Sequence, residues 1–127
     1  MKKVVLKDLP LVYSCSGCSN IAQLANRLAI ELDRDQVAEM SCIAGVGGGV
    51  RSLVRKAKSG RRIIAFDGCQ LHCVKSCLGQ HGIEATRHYT LTDYGIRKKY
   101  HTDFDADDLV DLKQMVIDDL AIRSDGV

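Results

Sequence analysis

The chain has 127 residues, 46% apolar and 27% charged, with a formal net charge of +2, one proline and six cysteines. That length makes one domain with enough core material to fold without disulfide staples, and the composition excludes a disordered chain. The small net charge excludes an extended electrostatic footprint for nucleic acid, and no run approaches the roughly 20 apolar residues of a membrane span.

Val4 to Tyr13 is the most apolar N-terminal stretch, but Lys7, Asp8 and Pro10 interrupt it, so no targeting segment is expected and the protein is expected in the cytoplasm. In that compartment six cysteines point to metal binding or thiol redox chemistry rather than to a disulfide framework. Leu9 to Ser14 reads as a first strand, with Pro10 suited to its beginning, and runs into Cys15-Ser16-Gly17-Cys18. Residues Lys3 to Leu6 form either a separate edge strand or the approach to this one. Ser19 or Asn20 can cap a helix whose buried face is Ile21, Leu24, Ala25, Leu28, Ala29 and Leu32, and Asp33 to Asp35 end it.

Val37 to Ile43 permits a short second strand. Gly45-Val46-Gly47-Gly48-Gly49 then reads as a loop, without a Walker sequence or a complete dinucleotide fingerprint. Its glycines serve close backbone approach or an anion site. Val50, Leu53, Val54 and Ala57 repeat a helical face, closed by Gly60 as the C′ residue. Ile63 to Phe66 is a continuous apolar run, as expected of a central strand covered on both faces.

Asp67-Gly68-Cys69-Gln70-Leu71-His72-Cys73-Val74-Lys75-Ser76-Cys77 reads as a third helix with Leu71, Val74 and Leu78 as its core stripe. Thr86 to Leu91 fits a fourth strand, and Thr92 to His101 a loop carrying Arg97-Lys98-Lys99. Asp105 can cap a last helix with Leu109, Leu112, Val116 and Leu120 on one side. Residues 1–8 and 123–127 are expected to fray. Two charge runs stand out, Arg51, Arg55, Lys56, Lys58, Arg61 and Arg62 on one side and the aspartates from Asp103 to Asp119 on the other; both read as solvated helix faces. Strands alternating with helices predict a single α/β domain over residues 1–127: a Rossmann-like three-layer fold with a mostly parallel sheet of about four strands and helices on both faces.

In such a sheet the cysteines converge. Cys15 and Cys18 follow the first strand, Cys42 the second and Cys69 the third, so all lie at the carboxyl edge where open α/β sheets bind ligands. Two thiolates on one zinc ion lie within roughly 4 Å of each other. On a regular helix Cys69 and Cys73 would stand about 6 Å apart on one face, whereas Cys69 and Cys77 would stand about 12 Å apart. Cys15-x-x-Cys18 has the spacing of a zinc knuckle. The expected metal set is therefore Cys15, Cys18, Cys69 and Cys73, with Cys42 as an additional candidate that otherwise serves as a small buried hydrophobe, and with Cys77 structural. His72 is expected to be partly exposed, and His81, His88 and His101 show no ligand spacing. Asp67 is expected to position the turn or to support the site from behind.

Cys15-Ser16-Gly17-Cys18-Ser19, the Gln23-Leu24-Ala25-Asn26 helix, Cys42-Ile43-Ala44-Gly45-Val46-Gly47-Gly48 and Asp67-Gly68-Cys69-x-x-x-Cys73, in this order, resemble the DGC-domain family, named for its Asp-Gly-Cys motif. The resemblance runs from about Leu11 to Asp105. It implies zinc binding, with Cys15, Cys18, Cys69 and Cys73 at the ligand positions and Cys42 matching a further cysteine. It implies no established reaction. Gln70 stands where the family pattern has proline. The sequence thus supports a zinc-thiolate protein acting in metal handling or structurally. A thiol redox or sulfur-transfer protein and an iron-sulfur cluster carrier on the same cysteines are the alternatives. The expected partner is a metal ion, with neither membrane nor nucleic acid.

Overall fold

The first strand gains its place from an apolar run that ends on one buried serine. Leu11, Val12, Tyr13 and Ser14 are all buried in β1 (Leu11–Ser14), directly after Pro10. The computed structural model describes residues 4–124, with side chains described through Ile122. The expectations for residues 1–3 and 125–127 lie outside the described residues. Before β1, Leu6–Asp8 forms a short 3-10 helix in place of an edge strand.

Helix α1 (Asn20–Arg34) starts at Ser19, whose Oγ accepts the N–H of Ala22 at 3.1 Å. Its expected stripe is buried throughout, and each fully buried Leu or Ile contributes about 1.5–3 kcal/mol. Strand β2 (Glu39–Met40) is only two residues long and is tied to the end of α1 by Asp33 Oδ1, which accepts the Met40 N–H at 2.8 Å.

The glycine-rich segment departs from the expected loop. Ile43–Gly47 is a short helix, α2, and α3 (Arg51–Ala57) follows after a break in which Gly49 has φ +74°. Glycine disfavours helix intrinsically, so packing must decide here. A Cβ on Gly45 would lie 2.0 Å from Leu53 Cδ1, and one on Gly47 would lie 2.8 Å from Cys77 Sγ. Two of these glycines therefore let α2 approach α3 and α4. Helix α3 ends at the cap Lys58, so Ser59 is the C′ residue and Gly60 (φ +88°), expected there, falls one position later.

Strand β3 (Ile63–Asp67) is wholly buried and β4 (Arg87–Thr90) follows the next helix. Between them α4 spans only Cys73–Gly79. The helix expected from Asp67 onward is thus shorter than its sequence suggests. Residues 68–72 form turns, His72 sits in the left-handed region at φ 54°, and Leu71 is exposed rather than core. A second 3-10 turn (Leu91–Tyr94) leads to the loop before α5 (Ala106–Ser124), where Asp105 Oδ1 accepts the Asp107 N–H at 2.9 Å.

The four strands lie in the order β2-β1-β3-β4, and every pair is parallel. Val12, Ile64, Phe66 and Tyr89 pack toward α1 and α5, whereas Leu11, Tyr13, Ile63 and Ala65 pack toward Val46, Ala57, Val74 and Leu78 of α2, α3 and α4. This is the three-layer, Rossmann-like α/β arrangement expected from the sequence. The chain steps outward from β1 to β2 and then returns past β1 to β3, so the strand order reverses between β1 and β3. Their carboxyl ends, Ser14 and Asp67, mark the crevice where such sheets place ligands.

Candidate metal centre

Cys15 emerges from β1 at that crevice, and its backbone N–H continues the ladder to Phe66 O at 3.1 Å. Its sulfur accepts the N–H of Gly68 at 3.2 Å, joining the ends of β1 and β3 directly. The Cys15 thiol is pushed up to about 11. Burial is the main cause, the Gly68 N–H opposes it, and negative charge at Asp67, Cys73 and Cys69 adds to it. Cys15 thus touches the residue before Cys69 and lies within electrostatic reach of Cys69 and Cys73. Cys18 is exposed in the β1–α1 loop immediately before the cap Ser19, a loop held by Gln23 Nε2 donating to Gly17 O at 2.7 Å.

Cys69 and Cys73 are not one helical turn apart. Cys69 lies in the turn after β3 and Cys73 opens α4. The regular i,i+4 pair on α4 is instead Cys73 with Cys77, so helical rise does not separate Cys77 from Cys69 in the expected way. Burial is the first cause raising the Cys77 thiol, followed by charge at Cys73 and Asp67, and its sulfur packs beside Gly47. Cys42 is exposed rather than a buried hydrophobe. It is the N-cap of α2, and its Sγ accepts the Gly45 N–H at 3.4 Å.

Asp67 has a larger role than turn formation. It is 1% exposed; Oδ1 accepts the N–H of Val74 at 2.7 Å and Oδ2 that of Lys75 at 3.2 Å, so it caps α4 from the end of β3. His88 Nε2 meets Oδ2 at 2.7 Å. His72, partly exposed as expected, crosses His88 edge-on at 5.1 Å between ring centroids and hydrogen-bonds Thr90 Oγ1 through Nε2 at 3.1 Å. A buried carboxylate with three partners satisfies most of its acceptor capacity, which is what makes burial of that group tolerable.

Sequence spacing gave no sign of Lys98. Its ammonium donates to Cys69 Sγ at 3.4 Å and stands 5.1 Å from the centre of the Tyr100 ring. Its pKa is raised by the hydrogen bond to Tyr100 and then by that to Cys69. Asn20 fixes this loop: its Nδ2 donates to Arg97 O at 3.0 Å, its Oδ1 accepts the Lys99 N–H at 2.7 Å, and its own N–H donates to Lys99 O at 3.0 Å. The Lys98–Cys69 contact spans 29 residues of sequence, so only tertiary structure reveals it.

Among the described residues no three His, Cys, Asp or Glu side chains stand close enough, as placed, to hold a metal ion. The chemistry of the donor set nevertheless fits a thiophilic ion, since thiols predominate and Cys18 and Cys73 are exposed. No helix among the described residues is long and apolar enough to cross a membrane.

Comparison with known proteins agrees with the motif pattern. The DGC domain family matches residues 11–116. The anaerobic and virulence modulator AnvM of Pseudomonas aeruginosa is 63% identical over 100 residues, covering 79% of this chain and 76% of that protein. No solved structure matches the chain. A match from β1 into α5 and this level of identity make the chain a member of the DGC-domain family.

Proposed function

We propose that the chain is a zinc-binding protein of the cytoplasm, with thiolates of Cys15, Cys18, Cys69 and Cys73 as ligands and Cys42 as a supplementary donor, acting in metal handling or structurally. What supports this reading is the Cys15 Sγ contact with the N–H of Gly68, the residue before Cys69, at the β1/β3 crevice, together with negative charge at Cys73 and Cys69 that disfavours ionisation of Cys15. A divalent cation reverses that relation, because it stabilises all the thiolates together and releases their protons. Four thiolates close a zinc ion to substrate and leave about −2 net charge, so the role is not hydrolytic.

The test is metal analysis of protein purified without chelator, with X-ray absorption to count sulfur ligands. About one zinc per chain with Zn–S near 2.3 Å is expected. Cys15→Ser, Cys69→Ser and Cys73→Ser should each lower zinc content, and Cys77→Ser should leave it intact. Zinc-free protein with every thiol freely titratable removes the reading, and iron with inorganic sulfide transfers it to a cluster carrier.

The Lys98 ammonium at the Cys69 sulfur favours a second reading, a thiol redox or sulfur-transfer role with Cys69 as nucleophile, because a neighbouring cation stabilises a thiolate. It predicts that Cys69 is alkylated fastest in metal-free protein and that Lys98→Ala slows it. Unchanged alkylation in that variant counts against it.

A further inference from the structure

The basic run of the sequence divides in the folded chain. Lys56 Nζ lies 2.9 Å from Glu39 Oε2 and Arg61 Nη1 lies 2.8 Å from Glu39 Oε1, so Glu39 pairs with both and offsets one of their two charges. Arg61 also donates to Leu9 O and Leu6 O, which fixes it against the start of β1. Arg51, Arg55 and Lys58 point elsewhere. They are exposed, have no ion-pair partner among the described residues, and recur at i, i+4 and i+7 along one side of α3. Together with Gly49, Val54, Ser59 and His81 they line a concavity of ≈ 530 Å³, and no carboxylate contributes to that lining.

In its first turn this arrangement opposes helix stability, whereas Arg55 and Lys58 lie at the C-terminal end of α3, where the dipole favours cations. Like charges four residues apart destabilise a helix by about 0.2–0.5 kcal/mol per pair, and Arg51 places a cation in the first turn, where the helix dipole favours an anion. No acidic residue occupies that turn to offset it. Across the concavity His81 is held by its Nε2–H, which donates to Val46 O at 2.7 Å. Gln80 Nε2 donates to Gly47 O at 2.8 Å, so the opposite wall is anchored to α2.

We infer that this concavity binds a small phosphorylated organic molecule through its phosphate groups. Arginine forks match phosphate oxygens in pairs, and a single phosphoryl group carries about −2, so three cations suit a diphosphate better than one carboxylate. The concavity is open to solvent, which suits a charged group held at the surface, and Val54 supplies an apolar surface beside the charges. The inference concerns the outer side of α3 and does not depend on the metal.

The experiment titrates the full chain with inorganic pyrophosphate and with ADP by calorimetry, maps amide shifts by NMR, and uses sulfate and a short DNA duplex as controls. Saturable binding in the submillimolar range is expected, with the largest shifts at Gly49 to Ser59 and at His81. Arg51→Gln and Arg55→Gln should each weaken pyrophosphate binding at least tenfold, and Lys56→Gln should change it less than twofold. Removing a like charge should leave the melting temperature unchanged or higher, and the shift map on the unmodified chain stands even if one variant folds poorly. Absence of saturation by a few millimolar, equal weakening by Lys56→Gln, or tighter binding of the duplex than of either phosphate would overturn the inference.

Discussion

A single carboxylate governs the geometry of the Asp-Gly-Cys segment. Asp67 is buried and accepts from two backbone N–H groups of α4 while bonding His88. Loss of a side-chain cap costs about 0.5–2 kcal/mol, and stranding a buried polar partner about 1–3 kcal/mol more. Asp67→Ala should therefore destabilise the protein by about 2–4 kcal/mol in urea denaturation, and Asp67→Asn by less, since its amide oxygen still accepts one helix N–H. Cys15 supplies a pH dependence of definite sign. Its folded-state value of about 11 lies above the ordinary 9.0, so its contribution to stability is complete below about 9 and is lost as pH rises through 11. In metal-free protein the melting temperature should fall across that interval, and Cys15→Ala should flatten the fall. If the two proteins lose stability in parallel, another group is responsible.

The elements differ in how openly the sequence declares them. β1, α1, β3, β4 and α5 follow from apolar period and capping residues, because in each the local pattern and the tertiary contacts agree. The Ser19 cap and the six-residue stripe of α1 needed nothing beyond the local pattern. α2 was hidden because its glycines argue against helix and only the approach of Leu53 and Cys77 explains them. The start of α4 was hidden for a related reason: its cap comes from Asp67, six residues before Cys73, and no adjacent residue announces it. Gly68 shows how tight the joint between elements is. A Cβ there would lie 3.0 Å from the backbone C and O of Ile21 in α1. Gly68→Ala should cost about 1–3 kcal/mol as overpacking against backbone that cannot rotate away. A circular dichroism melt would check this, and an unchanged midpoint would mean that β3 and α1 separate more easily than their contact suggests.

At the scale of the whole molecule, topology brings distant residues together. The sheet order β2-β1-β3-β4 puts the ends of the two central strands side by side, so Cys15 and Cys69 approach although 53 positions separate Cys15 from its hydrogen-bond partner Gly68. That convergence was legible from the cysteines' positions after successive strands. Neither the Lys98 contact with Cys69 nor the division of the basic run by Glu39 was, since both depend on side-chain directions that spacing alone does not set. If zinc occupies the crevice, it bridges the ends of β1 and β3 and binds only the folded state. Chelator treatment should then lower the melting temperature by an amount that grows with the free zinc concentration used in the comparison.

The bonds from Asp67 to Val74 and Lys75 have a last consequence for the stretch between them. They close Gly68 to Cys73 into a ring whose perimeter is set by one side chain and two amides. Within such a ring the identity of an outward residue matters little, and Leu71, 70% exposed, should tolerate polar replacement. The number of residues matters greatly. One glycine inserted between Gln70 and Leu71 would force the ring to open or Cys69 to turn away from Cys15, so this segment should accept substitution and refuse any change of length.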